Sequence, residues 1–486
     1  METSTIVWFR QDLRIEDNPA LCAALNDGPV IPLFVWSPEE EGDWLPGAAS
    51  KWWLHHSLIS LKADLKTLGL PLIVRHGNAL DVIKDVIKST GAKRVYWNRR
   101  YEPYGIARDT SVKKLLLELG VEANSYNANL LFEPWTISNK QGKPFQVFTP
   151  FWKTCLAQSS IKFPLPKPKP TNAVIAKFNQ EIAEGKKLKS ESIDSLDLLP
   201  KIHWEEGLKQ TWQPGNEGAK KSLKAFIEEP VLHYAEERDR PDFNGVSMLS
   251  PYLHFGELSP RMIWHAIIDK FSSNEPRIEC YLRQLGWREF AHHLLFHFPH
   301  TPSKPLRSNF SAFDWKIDPK GLKAWQKGMT GYPLVDAGMR QLWHTGWMHN
   351  RVRMIVGSFL VKDLRITWLE GAKWFWDTLV DADLANNTLG WQWIGGCGAD
   401  AAPYFRIFNP ITQGEKFDPE GAYVRQWIPE LTKLPNKWIH RPWEAPPLLL
   451  LEAGITLGNT YPYPLVDHSV ARNEALAAFA ALRNNE

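Results

Sequence analysis

The sequence predicts a doubly wound parallel α/β domain followed by a larger, all-α one, and three observations carry that prediction. Residues 5 to about 132 alternate short apolar runs with amphipathic stretches, the rhythm of a parallel sheet wrapped by helices. After His203 the strand rhythm largely stops and helical periodicity runs to the end. A chain of 486 residues also exceeds one core of ordinary size and asks for two or three domains. The boundaries expected are 1–132 for the α/β domain, 133–203 for a connector and 204–486 for the helical domain.

In the first domain the strands are expected at Thr5 to Phe9, Val30 to Trp36, Leu72 to His76 and Arg94 to Asn98, with helical segments at Ser57 to Leu68 and Ala79 to Ser89. Such a sheet receives ligands at its carboxyl edge, so NRRYEPYGIARD from Asn98 is the candidate small-ligand segment. No GxGxxG follows the first strand, which argues against a dinucleotide dehydrogenase. In the connector, Pro164, Pro166, Pro168 and Pro170 alternate with other residues in KFPLPKPKP, a composition that suits a stiff extended spacer and a disordered tether equally.

The helical domain opens around Tyr234 and GVSMLSPYLHFGELSPR from Gly245. Small hydroxyls and glycines ahead of a helix suit a phosphate, although plain N-caps account for the same residues. YLRQLGWREFAHHLLFHFPH reads as a helix with Gln284, Trp287 and Arg288 on consecutive turns. Its His293 and His297 are four apart, and no metal is expected. Asn350, Arg353 and Met354 stand at i, i+3 and i+4, one face of a helix.

Composition excludes several classes. A net charge of +3 and a pI near 8.4 give no global field for nucleic acid, so any DNA site must be a local patch. The four cysteines, Cys22, Cys155, Cys280 and Cys397, form no CxxC pair and suit a reducing compartment. METS leads straight into a strand and no 18-residue apolar stretch follows, so a soluble, cytoplasmic chain without membrane contact is expected. The outlier is 24 tryptophans, which fill large cores but also stack on cofactors and bases.

Those tryptophans concentrate in WLEGAKWFWDTLVDADLANNTLGWQWIGGCGADAAPYFRIFNPITQ, from Trp368 to Gln413. Asp383 and Asn387, four apart, would share a helical face and address one planar polar ligand. A buried aromatic core with helix-capping acids explains the stretch equally well.

DADLANNTLGWQW followed by GADAAPYFRIFNPITQGEKFD resembles the flavin-binding core of the photolyase and cryptochrome family. WFRQDLRIEDNPAL resembles that family's opening strand and helix, and the likeness runs over nearly the whole chain. It is nearest to the bacterial cyclobutane pyrimidine dimer photolyases that neighbour plant cryptochromes. The resemblance implies an FAD-binding helical domain, an antenna domain carrying methenyltetrahydrofolate or a deazaflavin, and light-driven repair of damaged DNA by a monomer. Tyr104 and Gly105 stand where some folate-binding members carry Asn-Glu.

It further implies that Tyr234, Val246, Ser247, Met248, Leu249 and Ser250 line the flavin's phosphates and ribityl chain, Val246 standing where many relatives have Thr. Arg288, Asn350, Arg353, Asp381, Ala382, Asp383 and Asn387 complete the flavin site, with Arg353 paired to Asp381 beside the isoalloxazine and Asn387 facing its N5. Trp391, Trp368 and Trp315 match the electron-transfer chain, with Trp374 and Trp376 as a side branch. Trp287 and Trp393 stack the extruded pyrimidines, with Asn350 and Met354 facing them. Arg238, Arg351, Arg406 and Gln413 meet the DNA backbone. Gln284 is a departure, since many dimer photolyases carry Glu there. Two other outcomes stay open: a cryptochrome that signals without repair, against which the short stretch after Leu431 gives no long tail, and a (6-4) photoproduct photolyase, for which His254 is the available histidine.

Overall fold

The computed structural model describes residues 3–158, 160–169, 188–272, 275–401 and 405–484. Strands β1 (Thr5–Phe9), β2 (Val30–Trp36), β3 (Ile73–His76), β4 (Arg94–Asn98) and β5 (Glu122–Tyr126) form a parallel sheet in the order β3-β2-β1-β4-β5. Central β1 sets the register, with Thr5 opposite Val30 on one side and Arg94 on the other. All five residues of β1 are buried, as an unbroken apolar run requires of a strand covered on both faces. The edge strand β5, EANSY, was not expected. Only its Ala123 is buried, so it shows no apolar run to read.

The first long helix spans Ala48–Thr67, starting well before the expected Ser57. It is wedged between the sheet and the helical domain, with Trp52, Trp53, Leu54 and His55 all buried, and a helix apolar on several sides loses the amphipathic signature. Glu257 ties it to the helical domain, accepting from Ser57 Oγ, from Trp53 Nε1 (3.2 Å) and from Gly215 N (2.7 Å). The helix Ala79–Thr90 lies where expected, capped by Asn78 Oδ1.

The stretch expected to be a bare connector contains the helix Phe148–Gln158, whose Phe148, Phe151, Trp152 and Cys155 are buried against Phe290 and Trp287. Pro164 to Pro168 run without regular structure, anchored where Asp17 N donates to Leu165 O (3.0 Å) and Leu165 N to Asp17 Oδ1 (2.9 Å). Pro170 lies outside the described residues.

The helices that build the site are Pro230–Glu237, Pro276–His297, Asn350–Ser358, Trp368–Thr378, Leu384–Gly395 and Pro410–Phe417. Their starts are written locally. Pro occupies the first turn of Pro276–His297 and Pro410–Phe417, where its missing N–H costs nothing, and Asp383 and Asn409 cap Leu384–Gly395 and Pro410–Phe417. Trp368–Thr378 approaches Leu384–Gly395 closely because Gly371 has no side chain: a Cβ there would lie 2.1 Å from the Trp391 ring.

Candidate active site

Helix Leu384–Gly395 begins at a buried carboxylate. Asp383 is the cap residue itself, and its Oδ1 accepts from Asn386 N (2.8 Å) and Asn386 Nδ2 (2.6 Å). Its Oδ2 faces His292 Nε2 at 3.5 Å and His254 Nδ1 at 3.9 Å. Burial alone would raise the Asp383 carboxyl, but the charge of His292 and hydrogen bonding from His254 and His292 outweigh it and hold the group well below the usual range. For His292, burial pulls the imidazole down and Asp383 pulls it up by more, so it sits above its ordinary value.

The signs give a pH dependence. Asp383, depressed in the fold, stabilises fully above its unfolded value of about 4 and loses that contribution as pH falls through the folded value. His292, raised in the fold, stabilises fully below about 6.5 and loses it as pH rises through its folded value. The pair therefore contributes most between about pH 4 and 6.5 and weakens on the alkaline side. His292→Gln is expected to flatten the alkaline decline of Tm. Parallel Tm profiles for the variant and the wild type would exclude the pair as its source.

Because Asp383 turns back onto the first turn, it does not project beside Asn387 from the helical face. Asn387 Nδ2 instead donates to Ala372 O of Trp368–Thr378 (3.0 Å). Arg353 does meet Asp381, with Nη2 at 2.9 and 3.1 Å from the two carboxylate oxygens and Nε donating to Met348 O (2.7 Å). Asp381→Asn would leave a half-buried guanidinium without its carboxylate, at a cost of about 3 kcal/mol. A lowered Tm is the expected result, and an unchanged one would show the pair to be energetically idle. Ala382, between the two acids, is buried.

Helix Asn350–Ser358 is capped by His349. Burial pushes that imidazole down to about 4, so at neutral pH its Nδ1 is free to accept from Arg351 N (3.2 Å). Asn350 is exposed and its amide lies 3.9 Å from Met354 Sδ on the same face. The loop before Ser250 holds Val246, Ser247 and Met248 half-buried and Leu249 buried, beside the buried ring of Tyr234. Met248 adopts φ of +54°, a conformation that non-glycine residues hold only where surrounding structure enforces it. The helix that follows, Ser250–His254, has five residues, so its dipole is small and the loop's hydroxyls and N–H groups are what it offers a phosphate.

On Pro276–His297, Trp287 stacks face to face on Phe148 with centroids 3.9 Å apart. Gln284 turns its Nε2 back to Cys280 O (3.0 Å). Arg288 reaches away to Asn129 O (2.6 Å). Trp393 lies under the Arg406 guanidinium at 5.2 Å, and Gln413 is half-buried on Pro410–Phe417. His293 and His297 meet edge to face with centroids 4.5 Å apart, and His293 Nε2 accepts from Phe145 N (3.0 Å), so the ring serves as a structural acceptor. Among the described residues no group of three or more His, Cys, Asp or Glu side chains is arranged to hold a metal.

The profile of the FAD binding domain of DNA photolyase matches residues 281–481, and that of DNA photolyase matches residues 5–171. The chain belongs to the photolyase and cryptochrome family. It is 48% identical to a deoxyribodipyrimidine photo-lyase of Agrobacterium fabrum over 98% of both chains. It is 45% identical to cryptochrome-2 of Arabidopsis thaliana over 99% of this chain and 80% of the relative. The crystal structure of a bacterial class III photolyase from Agrobacterium tumefaciens superimposes with a TM-score of 0.92 at 46% identity, covering 100% of this chain and 98% of that one.

The tryptophans expected to form an electron path are placed as follows. Trp391 is 2% exposed, packed edge-on to Phe375 (4.9 Å) and Trp325 (6.2 Å). Trp368 is buried, and Trp315 is half-buried against Phe313 (4.4 Å). Trp374 and Trp376, expected as one side branch, diverge. Trp374 stacks on Trp343, which is 57% exposed, with centroids 6.0 Å apart. Trp376 points the other way, edge-on to Trp44 (5.4 Å), its Nε1 donating to Leu45 O (2.7 Å).

A cleft of about 720 Å³ opens at the carboxyl edge of the sheet, where the family's first domain meets its second. Trp8, Arg10, Trp36, Arg100 and Arg108 form its wall on the sheet side, and His254, Ala382 and Trp376 on the helical side. Arg100 and Arg108 come from the segment expected to hold a small ligand. Glu41 bridges them, at 2.7 Å from Arg100 and 3.2 Å from Arg108. Trp8 Nε1 and Arg108 Nη2 are buried without a hydrogen-bond partner, which suits a polar ligand. Sequence reasoning missed His292, Trp343 and Trp325. Nothing local distinguishes them from core residues, since their partners are remote in sequence.

Proposed function

We propose that this protein is a light-driven lyase that splits cyclobutane pyrimidine dimers in DNA. The observation that carries the proposal is full-length similarity to a deoxyribodipyrimidine photo-lyase, together with a matching FAD binding domain. When bound, FAD supplies light absorption and the electron that opens the dimer. The donor set suits it: Arg353, fixed by Asp381, supplies a permanent cation for an anionic ring system, and Ser247 and Ser250 offer hydroxyls near the enforced turn at Met248. Asn387 holds an amide on the flavin side, and Trp391, Trp368 and Trp315 form the route for electrons from the surface.

The lesion must leave the duplex to react, and a damaged, poorly stacked pair is the least costly to extrude. Trp287, backed by Phe148, and Trp393, backed by Arg406, are the stacking surfaces for it. Arg238, Arg351, Arg406 and Gln413 position the phosphates. The interdomain cleft is the seat we assign to an antenna chromophore, a folate or a deazaflavin. Illumination of the purified protein with a dimer-containing oligonucleotide is expected to restore intact thymines. No restoration by a flavin-loaded sample would reject the proposal.

One observation favours a second reading, a light-sensing member without repair: the Gln284 amide is engaged with its own helix. The (6-4) reading gains nothing from His254, whose ring faces Asp383 and the cleft. Among the described residues no helix is long and apolar enough to cross a membrane.

A further inference from the structure

The arginines at the mouth of the site are not free. Arg351 Nη2 lies 2.6 Å from Asp239 Oδ2, and Arg238 Nε lies 3.9 Å from Asp239 Oδ1, so one carboxylate sits between two guanidinium groups. The cluster is assembled from three elements. Arg238 and Asp239 end the helix Pro230–Glu237, Arg351 is in the first turn of Asn350–Ser358, and Phe417 of Pro410–Phe417 lies under the Arg351 guanidinium at 4.4 Å. Arg238 is held in turn over Tyr234 (5.4 Å) and donates to Cys280 Sγ (3.6 Å), one turn before Gln284. The next basic residue, Arg240, is closed off by Asp242 at 2.5 Å. RDRPD thus supplies a carboxylate for each of its own arginines.

We propose that Asp239 is an internal stand-in for a DNA phosphate, a positioning and specificity residue that holds Arg238 and Arg351 in their working geometry and must be displaced when the backbone arrives. A carboxylate and a phosphate present guanidinium groups with the same acceptor geometry, so the exchange needs no rebuilding of the arginines. Displacement is open to Asp239 because its side chain is 35% exposed, while that of Arg351 is 18% exposed and fixed on Phe417. The Arg351 Nε is buried without a partner, so this guanidinium still has a donor to satisfy. The consequence is discrimination. Any phosphate that binds has to outcompete a tethered acid and then sit beside its freed negative charge, which weakens loose attachment to intact DNA.

This inference rests on the proposal that Arg238 and Arg351 meet DNA, and its test separates the two. The flavin-loaded wild type and Asp239→Asn are titrated with intact and dimer-containing duplexes across a range of salt. Asp239→Asn is expected to bind intact duplex roughly five- to tenfold more tightly at low salt, the scale of a partly exposed ion pair plus relieved repulsion. The slope of log K against log salt should steepen by about 0.9, since one negative charge beside the phosphates is gone. Adding Arg351→Gln should cancel the gain if the acid works through that arginine. Wild type that binds neither duplex would overturn the DNA reading itself. Wild type that binds, with Asp239→Asn unchanged in both affinity and slope, would overturn the stand-in alone. Should Asp239→Asn fail to retain flavin, Asp239→Ser removes the same charge and is judged by the same two readouts.

Discussion

Trp391→Phe is expected to slow light-driven reduction of the bound flavin by at least about tenfold, a rise of roughly 1.4 kcal/mol in the barrier. The phenyl ring keeps the packing against Phe375 and Trp325 but has no indole to oxidise. The residue is buried in a close contact that Gly371 makes room for, so the fold should survive a loss of about 1 to 3 kcal/mol. Flavin content and Tm measured on the same sample separate a broken route from a broken fold. Reduction at the wild-type rate, with flavin retained, would remove Trp391 from the path.

The variant also reports on the branch. If electrons also leave by a branch, Trp374 is the member stacked on the exposed Trp343, whereas Trp376 leads into the cleft, where its indole is already engaged by Leu45 O. If a residual slow phase survives in Trp391→Phe, it should vanish when Trp343→Phe is added.

What the sequence made legible follows from where each signal is stored. Strands β1, β2 and β4 are read at their observed limits and β3 to within one residue, because each carries an apolar core run, unbroken in β1 and β2 and flanked or followed by polar residues in β4 and β3. The edge strand β5 and the first half of the helix Ala48–Thr67 escape because one is too polar and the other too uniformly buried to show a period. The Arg353–Asp381 pair was named through resemblance, not through any local pattern, and the structure shows it formed. His292 against Asp383, and Asp239 against Arg351, are contacts between remote segments. In the sequence the first is one histidine of an adjacent pair and the second is part of an alternating charge run, both ordinary surface signals. Chemistry that depends on which helices meet is written in packing, and single-sequence patterns do not carry it.

Gln284→Glu is expected to raise the quantum yield of dimer splitting, by tenfold or more where the wild-type yield is low. In the wild type the Gln284 Nε2 spends one of its two N–H groups on Cys280 O of its own helix, so only the other is left for a dimer carbonyl and its direction is fixed by that tether. A carboxyl group changes both halves of this balance. When ionised it has no N–H for Cys280 O and turns toward the pocket, and when protonated it can donate to the lesion as negative charge develops there. A transition-state hydrogen bond of this kind is worth roughly 1 to 3 kcal/mol, about tenfold to a hundredfold in rate. Because the gain arises as charge develops, it should appear in the yield per absorbed photon and leave the Kd for dimer-containing DNA nearly unchanged. Binding that tightens in step with the yield would instead place residue 284 in ground-state recognition. If the flavin-loaded wild type shows no light-dependent splitting and Gln284→Glu creates none, the repair reading falls and a light-sensing role takes its place.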